Sequence, residues 1–472
     1  MLIGYDASRA FVSEATGTEN YSLNLLRALA KIDRKNRYRV YMRGSSQFTV
    51  HGSRFKKTVN SQLITDNFSW PRNFEFVQVR PHRLWTQVGL ALETWRNPVD
   101  VLFVPAHTIP IFRRRKIWLM GKGKDAGMVR GFGEGVKTPN PKTLNKTGFL
   151  TYKPSTKYIV TIHDLGVEYL PNYHKFPQRY YLDLASKYAS RSADAIIAVS
   201  GATSADLIKR YRVPAKKVFV VPEGVNTRFF KPQSQPKAGS PLAKISKVES
   251  VKNKYKIQGN YILAVGTVQP RKNLETLIRA FRGVCRYVGM WGGGDPTLVI
   301  VGKLGWDYQK ILDLPKKLGI GDRVRFLGYV PREDLPALYT GASVFAAPSL
   351  FEGFDIPILE ALACGCQVAA SDISAHREIF EKVTGNWSLI PGKKEPATRN
   401  QPLGTNFEAG VLVKPKDIRA WSQFLYQYIS LYNNRLTLAS KRERIEAIRR
   451  VLRSQYSWEK TARETLKVFL RN

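Results

Sequence analysis

The feature that most constrains this chain is an alternation. Short apolar runs, bounded by Gly, Pro or polar residues, recur with helical patterns between them. They come in two series. The first occupies 2–5, 38–42, 101–104, 158–162, 195–199 and 218–221. The second occupies 261–265, 298–301, 324–327, 344–347, 368–370 and 411–413. Runs that are apolar without alternation suit strands covered on both faces. Strands alternating with helices imply βαβ units and parallel sheets. Two series therefore predict an α/β chain with two doubly wound domains, and 472 residues suffice for two cores.

The divide falls at 226–258, a stretch rich in Pro, Ser and Lys with weak apolar period, read as a linker with one short helix. This gives domains at 1–225 and 259–454, with a last segment at 455–472. Residues 113–157 are irregular and hold twelve Lys/Arg against Asp125 and Glu134, which reads as a basic loop inserted between two strands. Its GKGKDAG lacks the spacing and the Lys-Ser/Thr ending of a P-loop. Residues 391–405 form a smaller polar insertion.

The net charge is +38, so polyanions are the expected neighbours: nucleic acid, anionic lipid or a phosphate-rich substrate. Cys285, Cys364 and Cys366 are too few and wrongly spaced for a disulfide framework or a zinc finger, and read as buried thiols in a reducing compartment. The N-terminus begins directly in a strand-like run, without the pattern of a signal peptide. No stretch approaches the roughly 18 apolar residues of a membrane span. A cytoplasmic protein, held by charge to the inner face of the membrane, is the expectation.

The strongest local signal is SLFEGFDIPILEALA at 349–363. A strand leads through Pro348 into a loop. Gly353 permits close backbone approach to a ligand. Pro357 suits the first turn of the helix that follows. The amides of Gly353, Phe354, Asp355 and Ile356 then lie near a helix N-terminus, which favours an anion. Glu352 before the turn and Glu360 inside the helix can each accept two hydrogen bonds from a vicinal diol, as ribose or a sugar presents. On spacing alone, a solvated pair fits as well. Arg271 and Lys272 follow a strand, Gly266 and Pro270. Two cations at the C-terminal edge of a parallel sheet can clamp a diphosphate, although in isolation an exposed basic pair before a helix is the preferred reading. His163 ends an apolar strand on the edge where α/β ligands bind; alone, a structural role fits it too. Tyr21, Leu25, Leu29 and Ile32 follow helical spacing and read as core.

The 349–363 segment resembles the E-x7-E signature of retaining glycosyltransferases of family four, the group 1 transferases, which have the GT-B fold. Other segments match in order. GTENY at 17–21 resembles the family's Gly-containing loop and first helix, and TIHDL at 161–165 its strand-end histidine. VPEGVNTRFFKP at 221–232 resembles the stretch leading into its linker, VGTVQPRKNLETLIRAF at 265–281 its phosphate-binding Arg-Lys region, and SWEKTARETLKVFL at 457–470 its returning C-terminal helix.

The resemblance implies a nucleotide-sugar in the C-terminal domain. Glu360 would hold the ribose and Arg271 and Lys272 the diphosphate. Glu352, with the backbone of Gly353, Phe354 and Asp355, would meet the transferred sugar. The N-terminal domain would hold the acceptor, with His163 hydrogen-bonding the donor sugar and Gly17 and Thr18 near the phosphate. Thr267 stands where many members carry a second Arg, and Asp355 where Gly is usual, so Asp355 must turn away from the phosphate. The chain has no Asp-x-Asp. Arg271 and Lys272 are therefore expected to replace a metal ion, and no cofactor is expected beyond the donor, a GDP- or UDP-sugar. The expected activity is transfer of a hexose, mannose first, to a glycan or lipid-linked acceptor in cell-surface polysaccharide or glycolipid synthesis. Two alternatives stay open: a GT-B epimerase or phosphorylase, and a basic nucleic-acid-binding protein on a degenerate transferase scaffold. No zinc finger, RNP-like aromatic pattern or helix-turn-helix supports the second.

Overall fold

The computed structural model describes residues 1–12, 14–43, 68–81, 84–112, 156–169, 178–233, 246–291, 295–384, 410–432 and 438–471, with short strands at 48–50, 64–66, 117–119, 128–130, 151–152 and 388–389. Most of the basic stretch 113–157, the linker centre 234–245 and the segment 391–405 lie outside the described residues.

The first lobe runs β1 (Leu2–Asp6), α1 (Gly17–Ile32), β2 (Arg37–Arg43), β3 (Phe74–Val79), α2 (Ala91–Arg96), β4 (Val101–Val104), β5 (Lys157–Ile162), α3 (Gln178–Ser192), β6 (Ala195–Ala198), α4 (Gly201–Arg210) and β7 (Val218–Val220). Its strands form one parallel sheet in the order β7-β6-β5-β4-β1-β2-β3. The second lobe runs α5 (Lys247–Lys254), β8 (Tyr261–Val265), α6 (Leu274–Trp291), β9 (Thr297–Val301), β10 (Val324–Gly328), α7 (Leu335–Gly341), β11 (Val344–Ala347), α8 (Ile356–Ala363), β12 (Val368–Ser371), α9 (Ser374–Thr384), β13 (Ser388–Leu389) and β14 (Gly410–Val413). Its strands are again parallel, in the order β10-β9-β8-β11-β12-β14-β13. Two helices close the chain, α10 (Leu438–Gln455) and α11 (Trp458–Leu470).

The continuous apolar runs became strands for the expected reason. β4, β6, β11, β12 and β14 are buried at every residue, with helices on both faces. Fully burying one Val, Leu or Ile contributes roughly 1.5–3 kcal/mol. β3 differs. It alternates, with Phe74 and Phe76 buried and Glu75 exposed, because it lies at the sheet edge.

The strand order of each sheet reverses once near its centre: β9 lies on one side of β8 and β11 on the other, while β2 and β4 flank β1. Loops leaving such neighbours diverge and open a crevice at their C-terminal ends. In the second lobe those loops are 266–273 and 348–355. In the first they are 7–16 and 105–112.

The chain crosses between lobes twice, side by side. Val225 N–H donates to Tyr456 O at 2.7 Å. Beside it, a Cβ on Gly224 would lie 2.5 Å from Trp458 N. Helix α11 then docks on the first lobe, where Trp458 meets Tyr21 edge-on and Phe469 meets Phe103. The short helix expected in the linker is α5, but it is no spacer. Val248, Val251 and Ile257 are buried, and Val251 and Ile257 join the second lobe's core. That lobe therefore begins before 259.

Candidate active site

At the second lobe's crevice, β8 ends in Gly266 with φ +152°, a conformation that favours glycine. A Cβ there would approach Lys272 Cε to 2.9 Å. Gly266 therefore leaves room for the lysine to fold back over the strand end. Pro270–Lys272 make one tight turn, and Asn273 closes it in the left-handed region at φ +52°. The Asn273 amide fastens this turn to its neighbours, donating to Pro348 O at 2.9 Å and Pro415 O at 2.7 Å. Leu350 N–H donates to Arg271 O at 2.9 Å. The two loops thus form one unit.

Glu352 is the hub. Its Oε1 lies 2.7 Å from Lys272 Nζ and accepts from Ser349 Oγ at 2.8 Å, while Oε2 accepts from Arg271. Arg271 also donates to Phe351 O at 2.9 Å. Burial alone would raise the Glu352 carboxyl. The Arg271 and Lys272 charges more than reverse this and hold it far below the carboxylate range. Burial would likewise lower Lys272, but Asp355 and Glu352 outweigh it and raise the ammonium above its ordinary value.

Asp355 caps α8 at φ +94°, an unusual conformation for a side-chain-bearing residue. Such a conformation costs on the order of 1–3 kcal/mol and persists where the surroundings enforce it. The enforcement is visible. Asp355 Oδ2 faces His376 Nε2 at 3.1 Å, Oδ1 lies 3.5 Å from Lys272 Nζ, and His376 Nδ1 bonds Ser371 O. Asp355 is thus turned inward against two partners. Pro357 occupies the first turn of α8, so the amides of Gly353 to Ile356 enter its N-terminus.

Glu360, inside α8, is in a different environment. It is buried and accepts from Tyr339 Oη at 3.0 Å. Burial raises its pKa, with Arg332 opposing only in part. Two nearby glutamates thus have their values pushed in opposite directions. Arg332 lies over Phe229 and Phe230 and donates to Asn20 Oδ1 of the first lobe at 2.9 Å.

The first lobe faces this cluster with the N-terminus of α1 and the end of β5. Thr16 and Glu19 form a capping box, so α1 starts at Gly17, whose Cα side is open: a Cβ would meet nothing within 4 Å. Lys303 of the second lobe reaches Glu14 at 3.0 Å. Opposite, Gly353 lies directly against His163, where a Cβ would stand 1.6 Å from His163 O. Gly201 N–H donates to Glu378 Oε2 at 2.8 Å, and Tyr169 stacks on Phe351 with ring centroids 4.4 Å apart.

His163 is expected to hydrogen-bond a sugar hydroxyl. In this arrangement both its nitrogens are already committed: Nδ1 to Glu223 Oε1 at 2.9 Å and Nε2 to Pro105 O at 3.0 Å. A carbonyl and a carboxylate both accept, so the ring serves both best as imidazolium. Burial opposes that charge, but Glu223 outweighs burial and raises the pKa. His107 lies 5.7 Å away, centroid to centroid, with the opposite balance. Burial above all, then the His163 charge, push it down to about 4 against the pull of Asp164. One histidine is thus biased toward its charged form and its neighbour toward its neutral form.

This pairing predicts a pH dependence. A raised folded pKa means the stability it contributes is present below about 6.5 and is lost as pH rises through the folded value. In Glu223→Gln burial is opposed only by the Pro105 carbonyl and Asp164, so the His163 pKa should fall from its raised value. The variant should lose about tenfold or more of its activity at pH 7.5, the worth of a hydrogen bond to a charged group, and lose less at pH 5.5. NMR titration of the imidazole checks the direction. An unmoved titration would sink the assignment.

The structure thus brings Arg271, Lys272, Glu352, Gly353, Phe354, Asp355, Ile356 and Gly266 together, with Glu360 one helix turn deeper. It sets Gly17, Thr18 and His163 opposite them. Glu352 departs from expectation: both its oxygens are occupied by cations and a hydroxyl rather than open to a sugar. Glu223, His107, Asn20, Arg332 and His376 were missed. Only Glu223 left a trace, as an acid placed directly between an apolar strand and the Gly224 turn.

Two family models match. Glycosyl transferases group 1 covers residues 247–395, and Glycosyltransferase Family 4 covers residues 143–229. Between them the two models match part of each lobe as glycosyltransferase. Similar curated proteins include O-antigen chain mannosyltransferase B of Escherichia coli, 28% identical over 66% of this chain and 69% of that protein. D-inositol 3-phosphate glycosyltransferase of Salinispora tropica is 29% identical over 59% of this chain, and this chain spans only about half of its length (51%). Among solved structures, sucrose-phosphate synthase from Thermosynechococcus elongatus superposes with a TM-score of 0.60 over 99% of this chain and 98% of that one, at 17% identity. WaaG, a glycosyltransferase involved in lipopolysaccharide biosynthesis, gives 0.58 over 100% of both chains at 14% identity. At such identities the likeness carries the fold alone, and that fold is GT-B.

Proposed function

We propose that this family-four transferase moves a hexose from a nucleoside-diphosphate sugar to a glycan or lipid-linked acceptor during cell-surface polysaccharide synthesis. The observation that carries this reading is the clamp: Arg271 and Lys272 held on Glu352 at the switch point of the second sheet, beside the N-terminus of α8. The family match removes any reason to prefer a nucleic-acid-binding protein, and nothing favours an epimerase or phosphorylase.

In this reading the diphosphate takes over the two cations from Glu352. The α8 amides meet it from one side and the α1 N-terminus, with Gly17 and Thr18, from the other. As the sugar–phosphate bond breaks, charge grows on the leaving phosphate, and fixed cations favour that state over the ground state. They supply the charge that a metal ion would otherwise bring. Glu360 accepts from the ribose hydroxyls. Glu352, once released, accepts from the sugar. His163 contributes a fixed positive charge beside the departing group rather than a hydrogen bond to the sugar. Among the described residues, the carboxylates nearest the crevice are committed: Glu352 to Arg271 and Lys272, Asp355 to His376, Glu223 to His163. Front-face attack with retention fits this arrangement, a leaving-phosphate oxygen taking the acceptor proton. Mannose from GDP-mannose is the first candidate, in line with the mannosyltransferases among the relatives, and UDP-sugars come next.

No helix among the described residues is long and apolar enough to cross a membrane. A lipid-linked acceptor requires the enzyme to work at a lipid surface. The net charge of +38 suits a peripheral place on the anionic inner face.

A nucleoside-diphosphate panel tests the reading. At a hundredfold excess over Kd the matching nucleotide should stabilise by about 2.7 kcal/mol, raising the Tm of a lobe-sized domain by roughly 5–10 °C, with or without EDTA. Glu360→Ala should lose most of that response. Stabilisation by none of GDP, UDP or ADP would overturn the proposal.

A further inference from the structure

One surface of the first lobe is built against the usual rule. The turns Trp85–Leu90 run straight into α2, and their inward face is buried by Trp85, Leu90 and Ala91. The outward face should then be polar. Instead it carries Leu84, Val88, Leu92 and Trp95, spaced by four, four and three residues, which is one stripe. Leu84, Leu92 and Trp95 are exposed, Trp95 by 59%. Beside the stripe, Ile111 and Phe112 add to it, Phe112 being 79% exposed. Gln87 ties the two segments together: Ile111 N–H donates to its Oε1 at 2.8 Å, and its Nε2 donates to Ile109 O at 3.2 Å.

Arginines lie near this segment, Arg43 and Arg80 by its buried side. Arg96 is on α2 itself and exposed. Arg43 lies over the Trp85 ring at 6.0 Å. Arg39 donates to Asn97 O at 3.4 Å and also pairs with Glu75. Exposed Arg80 precedes Pro81, whose carbonyl lies against Gly89. The one acid of α2, Glu93, accepts from the Asn97 amide.

The stripe also has a direction. Trp85 Nε1 donates to Asp6 Oδ1 at 3.1 Å, at the C-terminal end of β1. Strand β4, which follows α2, leads into Pro105, whose carbonyl receives His163 Nε2. The apolar face therefore starts at the first lobe's side of the cleft and runs away from it.

We propose that this face docks into the interface of an anionic lipid bilayer and so brings the first lobe's side of the cleft to the headgroups. The inference rests on the lipid-linked acceptor proposed above. A Trp-bearing apolar stripe with arginines near it matches both layers of such an interface, acyl boundary and phosphate. A second copy of this chain matches it poorly, because an isologous contact would bring the same arginines against each other.

The test uses the full-length protein with vesicles of phosphatidylcholine, alone or with phosphatidylglycerol, in co-sedimentation at low and high salt. Wild type should bind the phosphatidylglycerol vesicles. Leu92→Glu/Trp95→Glu should bind at least tenfold more weakly, and Phe112→Glu, on the separate loop, should show the same direction. Both variants should keep the wild-type Tm and the full nucleoside-diphosphate response, which reads the transferase assignment independently of the membrane. Wild type failing to sediment, or variants binding as tightly as wild type because basic loops alone suffice, would overturn the docking face. So would a dimer that the variants abolish without any vesicle binding. A missing nucleotide response in wild type would instead count against the transferase reading.

Discussion

Lys272→Ala should abolish the nucleoside-diphosphate response and slow sugar transfer by about a thousandfold or more. Loss of one donor to developing charge costs about 10²–10³ in rate. Here the loss is compounded. Lys272 Nζ is 2.7 Å from Glu352 Oε1 and 3.5 Å from Asp355 Oδ1. Without it, Glu352 keeps only Arg271 as a cationic partner and repels the incoming phosphate. Breaking a buried pair from one side costs about 3–5 kcal/mol in stability, so a lowered Tm by itself proves nothing about catalysis. Lys272→Met keeps a stem of similar length without the charge. It should lose the nucleotide response and transfer as far as Lys272→Ala does, which assigns the loss to the missing cation rather than to packing. Wild-type transfer by Lys272→Ala would end the clamp account.

Glu352→Gln separates the two duties given to this carboxylate. Freed from it, the cations should hold nucleoside diphosphate more tightly, while the slower sugar step lowers kcat. The pH behaviour follows from the depressed folded value of Glu352. Its stabilising contribution is present above the ordinary value of about 4.5 and is lost as pH falls toward the folded value. Wild type should therefore lose stability in that acid range more steeply than Glu352→Gln. Equal acid limbs would mean that the pair contributes no pH-dependent stability.

What was legible in the residues was what depends on neighbours in the chain. The run at 344–347 reads as a doubly covered strand because each of its residues is apolar, and it is one. FEFVQV was passed over because it alternates, and an edge strand with one wet face has no continuous run to show. The turn from Gly266 through Lys272 and the entry to α8 could be read from Gly, Pro and charge at short spacing. That Glu352 holds the two cations could not, because the partners are about eighty residues apart and meet only when β8 and β11 lie side by side. The same holds for Glu223 under His163, sixty residues on. Asp355 had to turn away from the phosphate. His376, on a helix after the next strand, provides the reason, and no local pattern announces it. Helix α5 was recognised as a helix yet assigned to the linker, since its burial against α7 is a tertiary fact.

Gly353→Ala should reduce transfer by at least a hundredfold while weakening nucleotide binding far less. The new methyl would stand 1.6 Å from His163 O, 2.7 Å from its carbonyl carbon and 3.1 Å from Asp164 Cβ. Two of these are backbone atoms at the end of β5, which is buried and paired on both sides. They cannot yield as a flexible side chain would. Relief must come from the lobes parting, and misplacement by about 1 Å costs on the order of 10² in rate. Arg271, Lys272 and Glu360 lie in the second lobe and are undisturbed, while the α1 N-terminus with Gly17 and Thr18 moves away with the first lobe, so the nucleotide response should weaken without being lost. Gly289→Ala is the control. It lies on α6 with nothing within 4 Å of a Cβ, and should leave transfer unchanged with Tm equal or slightly higher, since alanine favours a helix. Small-angle scattering of Gly353→Ala should show a wider separation of the lobes than wild type. A variant with normal kcat and unchanged scattering would mean that the contact between Gly353 and His163 is not needed for the reaction, and that the working cleft is more open than the one described.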